Sequence, residues 1–117
     1  MEKIELSVAR QFTVKPGRRN GKPGEFSGEE FRNKLLTGAY KEALNNKCIL
    51  TVDLDGGYGY ASSFLEEAFG GMVRDGYDGN DMLGRIEIKS DNQPGLIDNI
   101  KKYIRNAVIA AREEAKT

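Results

Sequence analysis

The sequence predicts an α/β domain in which a four-stranded, mostly parallel or mixed sheet is packed by about three helices. Along the chain, segments with strand-like apolar patterns alternate with segments whose apolar residues recur at helical spacing. Their order is β-β-α-β-α-β-α, which favours a layered domain with parallel strands. The 117 residues are expected to form one domain (1–117), with strands and a basic loop in 1–26 and a frayed tail at 112–117.

Two short strands are predicted at the start of the chain. Ile4, Leu6 and Val8 alternate with polar residues, the pattern of a half-buried strand. Phe12 and Val14 continue the same parity after a break and predict a second strand or a bent continuation of the first.

A basic segment rich in glycine and proline follows these strands. It carries four positive charges, and its Asn20-Gly21 pair suits a tight turn. The segment is either a solvated loop or an arm that binds phosphate or an acidic partner surface. Its charged residues are Lys15, Arg18, Arg19 and Lys22.

The first long helix is expected to begin at Ser27, because Ser27 and Glu30 have the spacing of a capping box. Its apolar positions recur at helical spacing, and it should end near Asn45-Asn46. The apolar run 48–54 then predicts a central strand buried on both faces.

A loop of acids and glycines follows the central strand. Asp53 and Asp55 could hold a hard metal ion through oxygen ligands, but a third acid at a diagnostic spacing is missing. The glycines at 56, 57 and 59 lack the complete pattern of a phosphate loop and indicate a tight turn.

The next helix is predicted over 63–74. Its Gly70-Gly71 pair requires either a neighbour packed close to the backbone or fraying of the helix. A polar loop at 75–81, a strand of alternating residues at 82–89 and a final amphipathic helix beginning near Pro94 complete the prediction.

Composition excludes several classes of function. The chain has 18 basic and 18 acidic residues, whereas dedicated nucleic-acid binders are usually basic. It has no histidine and one cysteine, Cys48, which is expected to be a buried thiol; these facts argue against histidine catalysis, most zinc sites and a disulfide. No signal peptide or membrane span is apparent, so we expect a cytoplasmic protein. We also expect no cofactor and no metal, because no complete motif for either occurs.

The centre of the chain resembles a known family. Val-Asp-Leu-Asp at 52–55 and Ala-Ser-Ser-Phe-Leu-Glu-Glu at 61–67 resemble the STAS-like family, bacterial and phage-borne domains of unassigned function. The Gly17-Arg18 turn and the sequence Ser-Gly-Glu-Glu-Phe-Arg at 27–32 are also similar to that family.

A more distant resemblance is to true STAS domains, the anti-sigma factor antagonists. In these domains a partner kinase of the histidine-kinase-like ATPase fold phosphorylates the first serine of an Asp-Ser-Ser-Gly motif, and Ser62 matches that serine. The chain has Ala61 and Phe64 where true STAS domains have Asp and Gly. Ser63 and Glu66 have the spacing of a capping box, which predicts that Ser63 caps the helix, and Glu66 and Glu67 would oppose a phosphate in the first turn.

The leading hypothesis is therefore a non-enzymatic regulatory module that binds a protein partner, such as a histidine-kinase-like ATPase, with Ser62 as the candidate phosphorylation site. The alternative is a domain that binds a nucleotide or phosphate ligand between the basic loop and Ser62-Ser63. A metallohydrolase is the least favoured, and exposed strand edges would permit a homodimer. The predicted partner or ligand surface comprises Asp53, Asp55, Tyr58, Tyr60, Ser62, Ser63, Glu66, Glu67, Arg18 and Arg19.

Overall fold

Three parallel strands form the sheet of the computed structural model, which describes residues 3–21, 25–57 and 59–115. β1 (Lys3–Ser7) and β3 (Ile86–Lys89) flank the central β2 (Ile49–Asp53). The register places Leu6 opposite Val52 and Val52 opposite Ile88. The parallel α/β prediction is confirmed, but the sheet of the described residues has three strands rather than four.

The strand predicted at Phe12 and Val14 is wrong. The Ser7 hydroxyl accepts the N–H of Arg10 and starts a short helix, α1 (Val8–Gln11). The N–H groups of Phe12 and Thr13 then donate to the carbonyl of Val8 at 2.9 and 2.8 Å. These donors are therefore used locally and cannot join a sheet ladder.

Helix α2 covers residues 28–46 and contains one wide turn. Ser27 caps it by accepting the N–H of Glu30, as predicted, whereas the Glu30 carboxylate binds Lys34. A π-turn at Arg32–Leu36 joins the segments Gly28–Phe31 and Thr37–Asn46. The helix ends where Lys47 takes a left-handed conformation with φ of 53°.

Helix α3 covers residues 62–74 and crosses α2 closely. It too contains a π-turn, at Glu66–Gly70, between the segments Ser62–Leu65 and Gly71–Arg74. A methyl group at Gly28 of α2 would lie 2.4 Å from the Phe64 carbonyl oxygen. Only glycine therefore fits at this crossing.

A further helix, α4 (Gly79–Arg85), replaces the first half of the strand predicted over 82–89. Asp78 caps α4 by accepting the N–H groups of Asn80 and Asp81. Met82 and Ile86 are both buried. Residues four positions apart lie on the same face of a strand and on the same face of a helix, so this apolar pattern is compatible with either conformation. The cap decides between the two, and only 86–89 form a strand.

The last helix, α5 (Gly95–Ala115), packs through Ile100, Ile104 and Ala107. It includes residues 112–115, which the sequence prediction assigned to a frayed tail. Among the described residues, no helix is both long enough and apolar enough to cross a membrane.

The two faces of the sheet differ in polarity. Leu6, Leu50, Val52, Ile86 and Ile88 are buried in the core that the helices cover, and the free thiol of Cys48 is buried there as expected. The alternate positions of the same strands are polar except for Ile49, and half of them are exposed. The opposite face is therefore open to solvent and polar, which is unusual for a parallel sheet.

Candidate functional site

The carboxyl ends of the three strands meet at one edge, as parallel strands require. Asp53 and Lys89 are in register there, and the N–H of Leu54 donates to the Lys89 carbonyl at 2.8 Å. The loops that leave this edge carry most of the predicted site residues.

Lys89 binds the two acids of the predicted site. Its Nζ lies 3.2 Å from Asp55 Oδ2 and 4.0 Å from Asp53 Oδ2. Asp55 also accepts the N–H groups of Asn92 and Asp91, at 2.9 and 3.1 Å. The N–H of Asn92 and, less strongly, the other donors hold the pKa of Asp55 below its usual range. The Asp55 carboxylate therefore fixes the turn between β3 and α5.

No cluster of three or more metal-ligating side chains occurs within 3–21, 25–57 and 59–115. Asp53 Oδ1 accepts the N–H of Asp55 at 2.9 Å, so one of its oxygens is used within the loop. The arrangement gives the metal hypothesis no support.

The glycine-rich turn after β2 is shaped by backbone geometry. Gly56 and Gly59 have φ of 88° and 75°, values that favour glycine. The Tyr60 hydroxyl donates to the Leu54 carbonyl at 3.0 Å, and its ring packs edge-on against Phe64 with centroids 6.1 Å apart. Burial, with Asp53 and Asp55 nearby, raises the pKa of Tyr60. Tyr58, also predicted for the surface, lies outside the described residues.

Ser62 and Ser63 begin α3 without capping it. Ala61 occupies the N-cap position and no side chain accepts a hydrogen bond there. The prediction that Ser63 caps the helix is wrong, because the helix starts one residue earlier and Ser63 lies within its first turn. Ser62 is exposed and Ser63 half-buried. Neither hydroxyl has a hydrogen-bond partner among the described residues.

Three arginines neutralise Glu66 and Glu67. Arg19 Nη1 lies 2.5 Å and Arg74 Nη1 2.7 Å from the Glu66 carboxylate, and Arg74 foremost holds the pKa of Glu66 below its usual range. Arg32 Nη1 lies 2.7 Å from Glu67 Oε2 and donates to the Glu67 carbonyl at 2.5 Å. We call these five side chains the arginine–glutamate network.

Arg32 explains Gly71, the second residue of the Gly70-Gly71 pair. A methyl group at Gly71 would lie 2.1 Å from Arg32 Nη1, and the guanidinium also forms an ion pair with Asp75 at 3.1 Å without hydrogen-bond alignment. The close neighbour of Gly71 is therefore an arginine side chain from α2, whereas a methyl group at Gly70 would lie 2.4 Å from Glu66 Oε2 of the same helix. Sequence reasoning missed Arg32 and Arg74; the glycine pair indicated the close approach but not its partner.

The basic segment lies against the starts of both crossing helices. The carbonyls of Arg18 and Arg19 accept the N–H groups of Gly28 and Glu29, each at 2.9 Å. The Arg18 side chain is exposed and 3.9 Å from Glu25. Of the predicted cations in the described part of the segment, Arg19 alone forms ion pairs with α3, and its guanidinium donates to Glu66. Lys22 lies outside the described residues.

The family comparison covers the central part of this arrangement. A family model described as a STAS-like domain of unknown function, DUF4325, matches residues 27–96. The chain belongs to the STAS-like family. The matched region runs from the cap of α2 through β2, the glycine turn and α3 to the start of α5, so it contains Ser62 and the Gly70-Gly71 pair. No curated protein and no solved structure matches the chain significantly.

Proposed function

We propose that this STAS-like domain is a regulatory protein-interaction module whose partner is a histidine-kinase-like ATPase and whose switch is phosphorylation of Ser62. The observation that carries the proposal is the exposed, uncapped Ser62 hydroxyl at the N-terminus of α3, directly after the turn that leaves the central strand. A kinase can reach this hydroxyl without unfolding the helix.

The start of α3 suits a phosphate electrostatically. The first N–H groups of a helix lack intrahelical acceptors, and the helix dipole favours negative charge there. Glu66 lies one turn after Ser62 and would repel a phosphate, but Arg19 and Arg74 neutralise its carboxylate. The acidic first turn is therefore a weaker obstacle than the sequence alone suggested.

The partner surface would surround Ser62. Tyr60 packs on Phe64 of α3, and Arg19 binds Glu66 of the same helix. Asp55, in the loop between β2 and α3, binds the turn between β3 and α5. These groups combine a ring, a carboxylate and a guanidinium, each held in its loop by a hydrogen bond or an ion pair, which suits specific protein recognition. Within residues 3–21, 25–57 and 59–115 no contact favours the phosphate-ligand alternative, because Arg19, the cation that reaches α3, is already bound to Glu66.

The proposal is tested with any histidine-kinase-like ATPase that is encoded near the gene for this chain. The purified chain is incubated with this ATPase and ATP, and intact-mass and peptide mass spectrometry locate any phosphate. We expect one phosphate on Ser62, none on the Ser62→Ala variant and undiminished phosphorylation of Ser63→Ala. Formation of no complex and no phosphoserine with any such ATPase would refute the proposal.

A further inference from the structure

The open face of the sheet contains a polar cleft that none of the roles above uses. Its volume is about 390 Å³, within the range of small-molecule sites. Its floor consists of Glu5 and Ser7 from β1 and Thr51 and Asp53 from β2. Glu5 pairs in register with Thr51, and Ser7 with Asp53, so the four side chains form two adjacent rows.

The rim of the cleft is built by α1 and β3. Arg10 and Gln11 of α1 border one side, and Lys89 borders the other. Gln11 is fixed because its Oε1 accepts the N–H of Ser7 at 2.7 Å, and Ser7 Oγ accepts the N–H of Arg10 at 3.3 Å. The short helix α1, which follows β1 directly, thus forms a wall of the cleft.

Thr51 supplies a buried polar group without a partner. Its side chain points away from the core, because it alternates with the core residues Leu50 and Val52. It is only 8% exposed, and its hydroxyl has no hydrogen-bond partner among the described residues. Buried hydroxyls are nearly always hydrogen-bonded, so an unpartnered one that lines a cleft indicates a ligand.

The charges that line the cleft define the class of ligand. Lys89 is already paired with Asp53 and Asp55, at 4.0 and 3.2 Å. Glu5 and Arg10 line the same cleft, and neither makes an ion pair with any residue of the described part of the chain. A neutral sugar would leave both charges without a counter-ion, whereas a ligand carrying an ammonium and a carboxylate satisfies both.

We propose that this cleft binds a small zwitterion of the free α-amino acid class. Glu5 binds the ammonium group, Arg10 binds the carboxylate through its guanidinium fork, and Thr51 contributes a hydrogen bond from the floor. This proposal does not depend on phosphorylation of Ser62, and either proposal can fail without the other.

The probes for this site are the twenty proteinogenic α-amino acids, each tested singly against the full chain at about 1 mM, a concentration that detects millimolar affinity. Saturation-transfer NMR identifies binders, and calorimetry measures their affinity. We expect at least one amino acid to bind, and its N-acetyl and carboxamide derivatives, which each lack one charge, to bind at least about tenfold more weakly.

Variants then assign the binding to the cleft. Glu5→Gln and Arg10→Gln should each weaken binding by about tenfold or more, and Thr51→Val by a smaller factor with the fold retained. Glu42→Gln and Lys102→Gln make matching charge changes at exposed helix positions outside the cleft and should leave affinity unchanged. The proposal is overturned if no amino acid binds, if the blocked derivatives bind equally well, or if Glu5→Gln and Arg10→Gln leave affinity intact.

Discussion

The substitution Gly71→Ala tests the packing of α2 against α3. Gly71 has φ of −59°, a helical value that alanine adopts freely. Helix propensity alone therefore predicts that alanine stabilises the protein by about 1 kcal/mol. The structure predicts the opposite sign, because the added methyl group would lie 2.1 Å from Arg32 Nη1 and 2.7 Å from Arg32 Cζ.

The magnitude follows from what Arg32 would lose. Arg32 is only 7% exposed, and its guanidinium binds the Glu67 carboxylate, the Glu67 carbonyl and Asp75. Breaking a buried ion pair completely costs about 3–5 kcal/mol. A displaced but still mostly paired guanidinium loses part of this, so we expect a net destabilisation of about 2 kcal/mol after the propensity gain is subtracted.

Urea unfolding followed by circular dichroism measures the change in the free energy of unfolding. The matched control is Gly38→Ala, an exposed position in α2 where a methyl group would have no neighbour within 4 Å. It should stabilise the protein by about 1 kcal/mol. In an Arg32→Met background the steric conflict is reduced, and Gly71→Ala should then cost less than it does in the parent protein.

The reasoning is refuted if Gly71→Ala stabilises the parent protein as much as Gly38→Ala does. It is also refuted if the cost of Gly71→Ala is the same with and without the guanidinium of Arg32, since the conflict would then lie elsewhere.

Three further predictions concern single side chains. The Cys48 thiol, 4% exposed, should react with a thiol reagent such as DTNB only at the rate of unfolding, and fast labelling of the native protein would contradict its burial. Tyr40→Phe removes the hydrogen bond that the buried hydroxyl donates to Asp81 and should cost about 1–2 kcal/mol in urea unfolding; a neutral result would contradict it. Because the folded pKa of Asp55 is depressed, its stabilisation is present above the ordinary carboxyl pKa and is lost as pH falls through the folded value. Asp55→Asn should therefore lower stability at neutral pH and flatten the acid side of the stability profile, and an unchanged profile would contradict this.

The sequence predicted correctly those elements for which the apolar pattern and the residues at the ends of the element indicate the same structure. Ser27 and the left-handed end at Lys47 bound α2 close to the predicted residues, and the apolar run before Asp53 became the central strand. The errors arose where a polar side chain capped a short helix that the apolar pattern did not predict. Ser7 starts α1, after which the N–H groups of Phe12 and Thr13 donate to Val8 instead of to a neighbouring strand, and Asp78 starts α4 in place of half of the strand predicted over 82–89. Alternating apolar residues are compatible with both outcomes over such short lengths.

The candidate site was predictable in position but not in its contacts. The serines after the central strand were identified from the local sequence, yet the cap assignment failed by two residues, because the helix begins at Ser62 and Ala61 occupies the N-cap position. The partners of Glu66 and Glu67 lie 7 to 47 positions away in the chain. Only the crossing of α2 and α3 brings Arg32 to them, and a pattern read along one segment cannot show it.

The affinity of the histidine-kinase-like ATPase for the unmodified chain and for the same chain carrying phosphoserine at position 62 tests the proposed function most directly. Calorimetry on both forms, with the phosphoserine introduced during translation, separates binding from catalysis. A phosphate at the centre of the proposed docking face adds nearly two negative charges and a bulky group, so we expect affinity to fall by at least about tenfold. Equal affinities for the two forms, or no binding of the unmodified chain, would contradict Ser62 as the switch of a docking surface.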